Sequence, residues 1–158
     1  MRPLTILLVD DDRSLATTLS HGLRKAMGGA ASVAVCFDSV EALSMLDAQT
    51  FDVVVSDYNM PGLSGLEFLS RVRQDHQDMI LVLSTAYGTD ALEEGIRQLG
   101  MGYITKPFEP SILVRLIEGL VLDREMTVDT EKGQRLVEEP GKPAGSSSSL
   151  VFEARLHE

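Results

Sequence analysis

This sequence predicts a doubly wound α/β fold: a five-stranded parallel sheet with helices on both faces. Short apolar runs alternate five times with stretches of helical periodicity. The clearest runs are continuously apolar rather than alternating, as strands covered on both faces require. Their ends are polar, which in an open parallel sheet gathers distant residues beyond the carboxyl edge.

Leu4-Thr5-Ile6-Leu7-Leu8-Val9 reads as the first strand. Residues 13–27 set Leu15, Leu19, Leu23 and Met27 at helical spacing and stop at Gly28-Gly29, predicting a helix. Val33 to Phe37 is a second strand. Ser39 is a candidate N-cap for a helix through about Asp47, with Ala42 and Leu46 inward. Phe51 to Ser56 is the third strand, and Asp57 follows it directly. Met60-Pro61-Gly62 marks a loop before a helix near 64–74 carrying Leu66, Leu69 and Val72. Met79 to Leu83 is the fourth strand, 89–99 the fourth helix and Gly102 to Thr105 the fifth strand. A last helix runs from Glu109 to about Arg124 on Ile112, Leu116 and Leu120.

From about Met126 the periodicity stops. Glu139-Pro140-Gly141-Lys142-Pro143-Ala144-Gly145 leads into four serines, a flexible linker by composition, and Leu150 to Glu158 could form one strand. The expected division is a folded domain over 3–124 and a Pro/Gly/Ser-rich tail over 125–158. Whether the tail is an extension or the stump of a longer protein stays open.

Composition narrows the function. With 158 residues there is room for one domain and a tail, not two full domains. The charge of −10, from 14 basic and 24 acidic residues, argues against a phosphate-neutralising nucleic-acid surface. No run nears the roughly 18 apolar residues of a membrane span. The short apolar run at the start ends in aspartates and lacks a signal peptide's cleavage pattern, so a cytoplasmic location is expected. The single cysteine, Cys36, reads as a small buried hydrophobe within a strand. His21, His76 and His157 fall away from the acidic residues and read as structural or solvated.

The strand ends carry the chemistry. They hold Asp10-Asp11-Asp12 after the first run, Asp57 after the third, Ser84-Thr85-Ala86 after the fourth and Lys106-Pro107-Phe108 after the fifth. Clustered carboxylates repel one another unless a cation joins them. A few oxygen ligands suit Mg²⁺, which keeps several waters and accepts phosphate oxygens. A lysine there can hold an anionic phosphoryl group, a hydroxyl can bond it, and an aspartate can take it covalently.

The blocks Ile6-Leu7-Leu8-Val9-Asp10-Asp11-Asp12, Val54-Val55-Ser56-Asp57-Tyr58-Asn59-Met60-Pro61-Gly62, Leu83-Ser84-Thr85-Ala86 and Gly102-Tyr103-Ile104-Thr105-Lys106-Pro107-Phe108 resemble the signature of response-regulator receiver domains of two-component systems, those of chemotaxis regulators included. The resemblance covers about residues 3–124 and implies a flavodoxin-like receiver fold. It implies that Asp57 is the phosphoacceptor, and that Mg²⁺ is bound by Asp11, Asp57 and the backbone carbonyl of Asn59, with Asp10 acting through water. Thr85 and Lys106 would meet the phosphoryl group, and Tyr103 would turn inward as Thr85 moves. Pro107 matches a position where the family often has a cis peptide bond. Asp12 is extra to the family's pair and reads as a solvated helix-start residue; Tyr87 sits where the family varies and could shield the phosphoryl group.

The implied function is a phospho-accepting module rather than an enzyme, with at most self-catalysed phosphotransfer and autodephosphorylation. Its donor would be a histidine kinase or phosphotransfer protein. Its reporting surface would be the fourth helix, fifth strand and last helix, read by an output domain or a downstream protein. Neither nucleic acid nor membrane is an expected direct partner of this segment, and homodimer formation is left open. Two rivals remain. A haloacid-dehalogenase-like phosphatase also uses an aspartate nucleophile, Mg²⁺ and a lysine, but resembles D-x-D after the first strand, whereas Asp57-Tyr58-Asn59 follows the third. A receiver-like interaction module independent of phosphate would be expected to lose the aspartates or the lysine, and all are present.

Overall fold

A computed structural model describes the backbone of residues 2–131 and the side chains of residues 2–125. The linker and strand expected over 139–158, and His157, lie outside the described residues. The elements alternate as the apolar runs require: β1 (Leu4–Val9), α1 (Arg13–Met27), a 3₁₀ turn (Gly28–Ala30), β2 (Ala31–Cys36), α2 (Ser39–Ala48), β3 (Val53–Asp57), α3 (Gly65–Asp75), β4 (Ile80–Thr85), α4 (Asp90–Gln98), β5 (Gly102–Thr105) and α5 (Pro110–Glu131). All strands pair in parallel, in the order β2-β1-β3-β4-β5.

The period-two alternation of side chains sorts the strands into two cores. Leu7, Val9, Val54, Leu81 and Leu83 face α2, α3 and α4, where Ala42, Leu46, Phe68, Leu69, Val72 and Ile96 close over them. Ile6, Leu8, Val53, Val55 and Val82 face α1 and α5, against Leu23, Leu113, Leu116 and Ile117. Burial on both faces is why β1 and β3 read as unbroken apolar runs.

Several boundaries differ from the sequence reading. Of the four-spaced row on α1, Leu23 is buried and Leu19 and Met27 pack against the core, whereas Leu15 leaves it. Each four-residue step advances about 40° around a helix, so Leu15 and Met27 stand about 120° apart. Leu15 is accordingly exposed, while Ala16, Ser20 and Leu23 are buried. Ser20 is satisfied there by donating to the Thr17 carbonyl at 2.8 Å. Asp38, not Ser39, caps α2, its side chain accepting from Val40 and Glu41 N–H, and Ser39 becomes the first helical residue, buried. Phe37 lies just past β2, with the Arg13 guanidinium 4.3 Å above its ring. Strand β4 runs two residues further than expected because Thr85 still pairs with Thr105. Helix α5 continues to Glu131 rather than ending near Arg124; no glycine or proline occurs between Gly119 and Gly133 to stop it. Cys36 is buried, donates to the Asp38 carbonyl at 3.2 Å, and burial pushes its thiol pKa up, as suits an inert core residue.

Strand order reverses direction at β1, which has β2 on one side and β3 on the other. The crevice at such a point lies beyond the strands' carboxyl ends. Register then fixes what meets there. Val9 pairs with Ser56, so Asp10 and Asp57 stand one step beyond; Asp57 pairs with Ser84, placing Thr85 next. Thr85 pairs with Thr105, and the following residue, Lys106, donates its N–H to the Thr85 carbonyl at 2.8 Å.

Candidate functional site

The register brings the predicted residues to one spot. Asp10 and Asp57 are 5% and 9% exposed, and with exposed Asp11 they place carboxylate oxygens within 4.8 Å of one another. Lys106 reaches across from the far side of the crevice. Its Nζ lies 2.9 Å from Asp57 Oδ1 and 3.1 Å from Asp10 Oδ2. One ammonium thus bridges two nearly buried carboxylates.

Each acid is held differently. Asp10 accepts from the Asp12 N–H at 3.0 Å through Oδ1 and from Lys106 through Oδ2. Both oxygens are engaged, whereas Asp11 projects into solvent beside them. Asp12 caps α1, accepting from the Leu15 N–H at 3.0 Å, so the extra aspartate works at the helix start. Asp57 ends β3, with the Ser56 hydroxyl donating to its carbonyl at 3.0 Å. Burial pushes the Asp57 carboxyl above its ordinary pKa; the Lys106 hydrogen bond opposes this, and the Asp10 and Asp11 charges add to it. Burial works against the Lys106 charge, yet its bonds to Asp57 and Asp10 prevail and raise its pKa. Three acids facing one ammonium leave an excess of negative charge, which a divalent cation with oxygen ligands fits.

The loop after Asp57 is tied at both ends. Tyr58 N–H donates to the Ser84 carbonyl and Gly65 N–H to the Tyr58 carbonyl, each at 2.8 Å. Asn59 lies exposed between these ties, two residues past Asp57. Closure presses Gly65 onto the end of β3. A Cβ there would collide with the Asp57 carbonyl oxygen and stand 2.8 Å from its carbonyl carbon. Sequence reasoning missed Gly65; its only signal was a glycine directly after the Ser64 cap of α3.

Thr85 is 1% exposed, and its hydroxyl donates to the Tyr87 carbonyl and accepts from the Tyr87 N–H, both at 3.2 Å. Tyr103 is 3% exposed, so it is not the half-exposed strand residue that a plain surface reading of β5 would give. Tyr87 is 80% exposed, leaving little of its ring to cover Asp57. His21 is exposed on α1 and His76 caps the C-terminus of α3; neither sits among the site residues. The Lys106–Pro107 peptide bond is cis.

Comparison with known proteins agrees with this fold. The family model of the response regulator receiver domain matches residues 6–118. The chain belongs to that family. The response regulator protein FleR of Pseudomonas aeruginosa is 42% identical over 114 residues, covering 71% of this chain and 23% of FleR. The chemotaxis protein CheY of the same organism is 34% identical over 120 residues, covering 73% of this chain and 94% of CheY. The crystallised chemotaxis protein CheY4 of Vibrio cholerae superposes with a TM-score of 0.69 at 30% identity, over 75% of this chain and 98% of that one. The chain spans about a quarter of FleR and of the Escherichia coli transcriptional regulator NtrC. This receiver is therefore a signalling module of the two-component type rather than a classical enzyme, and neither the phosphatase nor the phosphate-independent reading is favoured. No helix among the described residues is long and apolar enough to cross a membrane.

Proposed function

We propose that Asp57 accepts a phosphoryl group from the phosphohistidine of a histidine kinase or phosphotransfer protein. A carboxylate oxygen of Asp57 attacks phosphorus, the new O–P bond replaces the donor's P–N bond, and the departing imidazole keeps the electron pair. The observation that carries the reading is the Lys106 ammonium spanning Asp57 and Asp10 at the topological switch point. Lys106 positions the acceptor and stays beside the phosphoryl oxygens.

Asp11, Asp57 and the Asn59 backbone carbonyl are the residues to hold Mg²⁺, with Asp10 joining through water. The ion supplies charge neutralisation between carboxylates and phosphoryl oxygens. Thr85 exchanges its bonds to Tyr87 for the phosphoryl group, and Tyr103 is the packing partner through which α4, β5 and α5 report the change. That surface addresses an output domain or a separate downstream protein. The receiver unit is 3–124 and works in the cytoplasm, with 125–158 as a tail or linker.

Beryllofluoride with Mg²⁺, a phosphoryl mimic, tests the reading through amide chemical shifts. Changes across 84–90 and 102–108 are expected. Changes confined to the immediate neighbours of Asp57 would rule out the propagated switch.

A further inference from the structure

Two observations around Thr85 do not fit a simple exchange in which the Tyr103 ring enters only after Thr85 leaves. The Thr85 hydroxyl is bonded to the backbone of Tyr87, and the Tyr103 ring is nevertheless buried. Something other than displacement of Thr85 makes room for the ring.

The room comes from Gly88. A Cβ built on Gly88 collides with the Tyr103 hydroxyl and stands 3.2 Å from the ring carbon that bears it, with Glu93 Oε1 3.8 Å away. Packed interiors tolerate little such overlap, so ring or loop must yield. The backbone does not require glycine, because the residues with positive φ are Gly28, Gly62 and Gly100. Gly88 is needed for its missing side chain and not for its conformation.

We propose that Gly88 is a positioning residue whose empty Cβ site seats the Tyr103 ring, so that ring burial does not wait on movement of Thr85. The significance of the seat rests on the switch reading given above; its geometry does not. A side chain at position 88 makes the inward ring conditional on a shift of the 86–89 loop. In this chain the ring is inward from the start, and phosphorylation acts on a surface already packed around it.

The chain has three tyrosines and no tryptophan, so Tyr103 can be made the sole emitter. In the full chain carrying Tyr58→Phe and Tyr87→Phe, acrylamide quenching of Tyr103 emission is expected to be weak and to change little with beryllofluoride and Mg²⁺. Gly88→Ala is expected to raise the quenching constant several-fold. Unchanged quenching in Gly88→Ala overturns the seat, as does a several-fold fall in the parent on adding the mimic. A melting cycle identifies the atom responsible. Gly88→Ala should lower the melting temperature with Tyr103 present and lose that effect in combination with Tyr103→Phe, where the colliding hydroxyl is gone. Equal losses in both backgrounds overturn the proposal. Labelling of Asp57 by a small acyl phosphate is scored separately, since its failure overturns the phosphoacceptor reading and leaves the seat standing.

Discussion

Replacing Lys106 by methionine keeps the length of the side chain and removes the only cation bonded to Asp10 and Asp57 among the described residues. The side chains of Asp10 and Asp57 are 7% and 10% exposed, and the lysine side chain is 20% exposed. Breaking a fully buried ion pair costs about 3–5 kcal/mol, and some water reaches this one, so about 2–4 kcal/mol is expected at neutral pH. For a domain of this size that is roughly 6–16 °C of melting temperature. The sign of the pH dependence follows from Asp57, whose folded pKa already lies above its ordinary value. Its contribution is fully present below the unfolded value and is lost as pH rises through the folded one. Without Lys106 the folded value rises further, so the variant should approach the wild type in acid and fall away from it toward neutrality. Mg²⁺ should then recover more stability in the variant than in the wild type, because it relieves a larger repulsion. Thermal unfolding in chelator and in Mg²⁺ across pH makes the measurement. A variant melting within about 1 °C of the wild type in chelator at neutral pH would refute the bridging role.

Gly65→Ala should destabilise by about 1–3 kcal/mol and slow labelling of Asp57, since the new methyl displaces the acceptor's own carbonyl; unfolding curves and phosphorylation kinetics check both. Arg73→Lys should cost about 1.5–3 kcal/mol in urea unfolding, because the guanidinium donates to the carbonyls of Gln77, Met79, Leu99 and Gly100, a span that one ammonium cannot cover. Asp52→Asn should lower stability at neutral pH. Bonds from Arg2 and Thr5 hold the Asp52 carboxyl below its ordinary pKa, so its contribution is present above the unfolded value and vanishes as pH falls through the folded one. The gap between variant and wild type in acid titration should close over that window.

Most of the architecture was legible because burial on both faces leaves unbroken apolar runs such as Ile6 to Val9, each ended by an abrupt polar residue. The same polar ends made Asp10, Asp57, Thr85 and Lys106 legible as a group, since a parallel sheet has one carboxyl edge. Helix faces were less legible. Leu15 repeated at four-residue spacing and still turned outward, because such a row winds around the helix. The α2 cap was misplaced by one residue, as Asp38 and Ser39 are both good caps and only backbone geometry chooses between them. Gly65 and Gly88 carried almost no signal. What makes them matter is an atom that would collide with Asp57 or Tyr103, far away in sequence. The Lys106 bridge to two aspartates was likewise a matter of side-chain reach rather than residue type.

The central claim is that Asp57 takes the phosphoryl group. Incubation with a small acyl phosphate and Mg²⁺, followed by intact-mass and peptide mapping, tests it most directly. The account predicts one added phosphoryl group, mapped to Asp57, dependent on Mg²⁺ and absent from Asp57→Asn. Undiminished labelling of Asp57→Asn, mapped to a residue outside the Asp10–Asp11–Lys106 cluster, would contradict it.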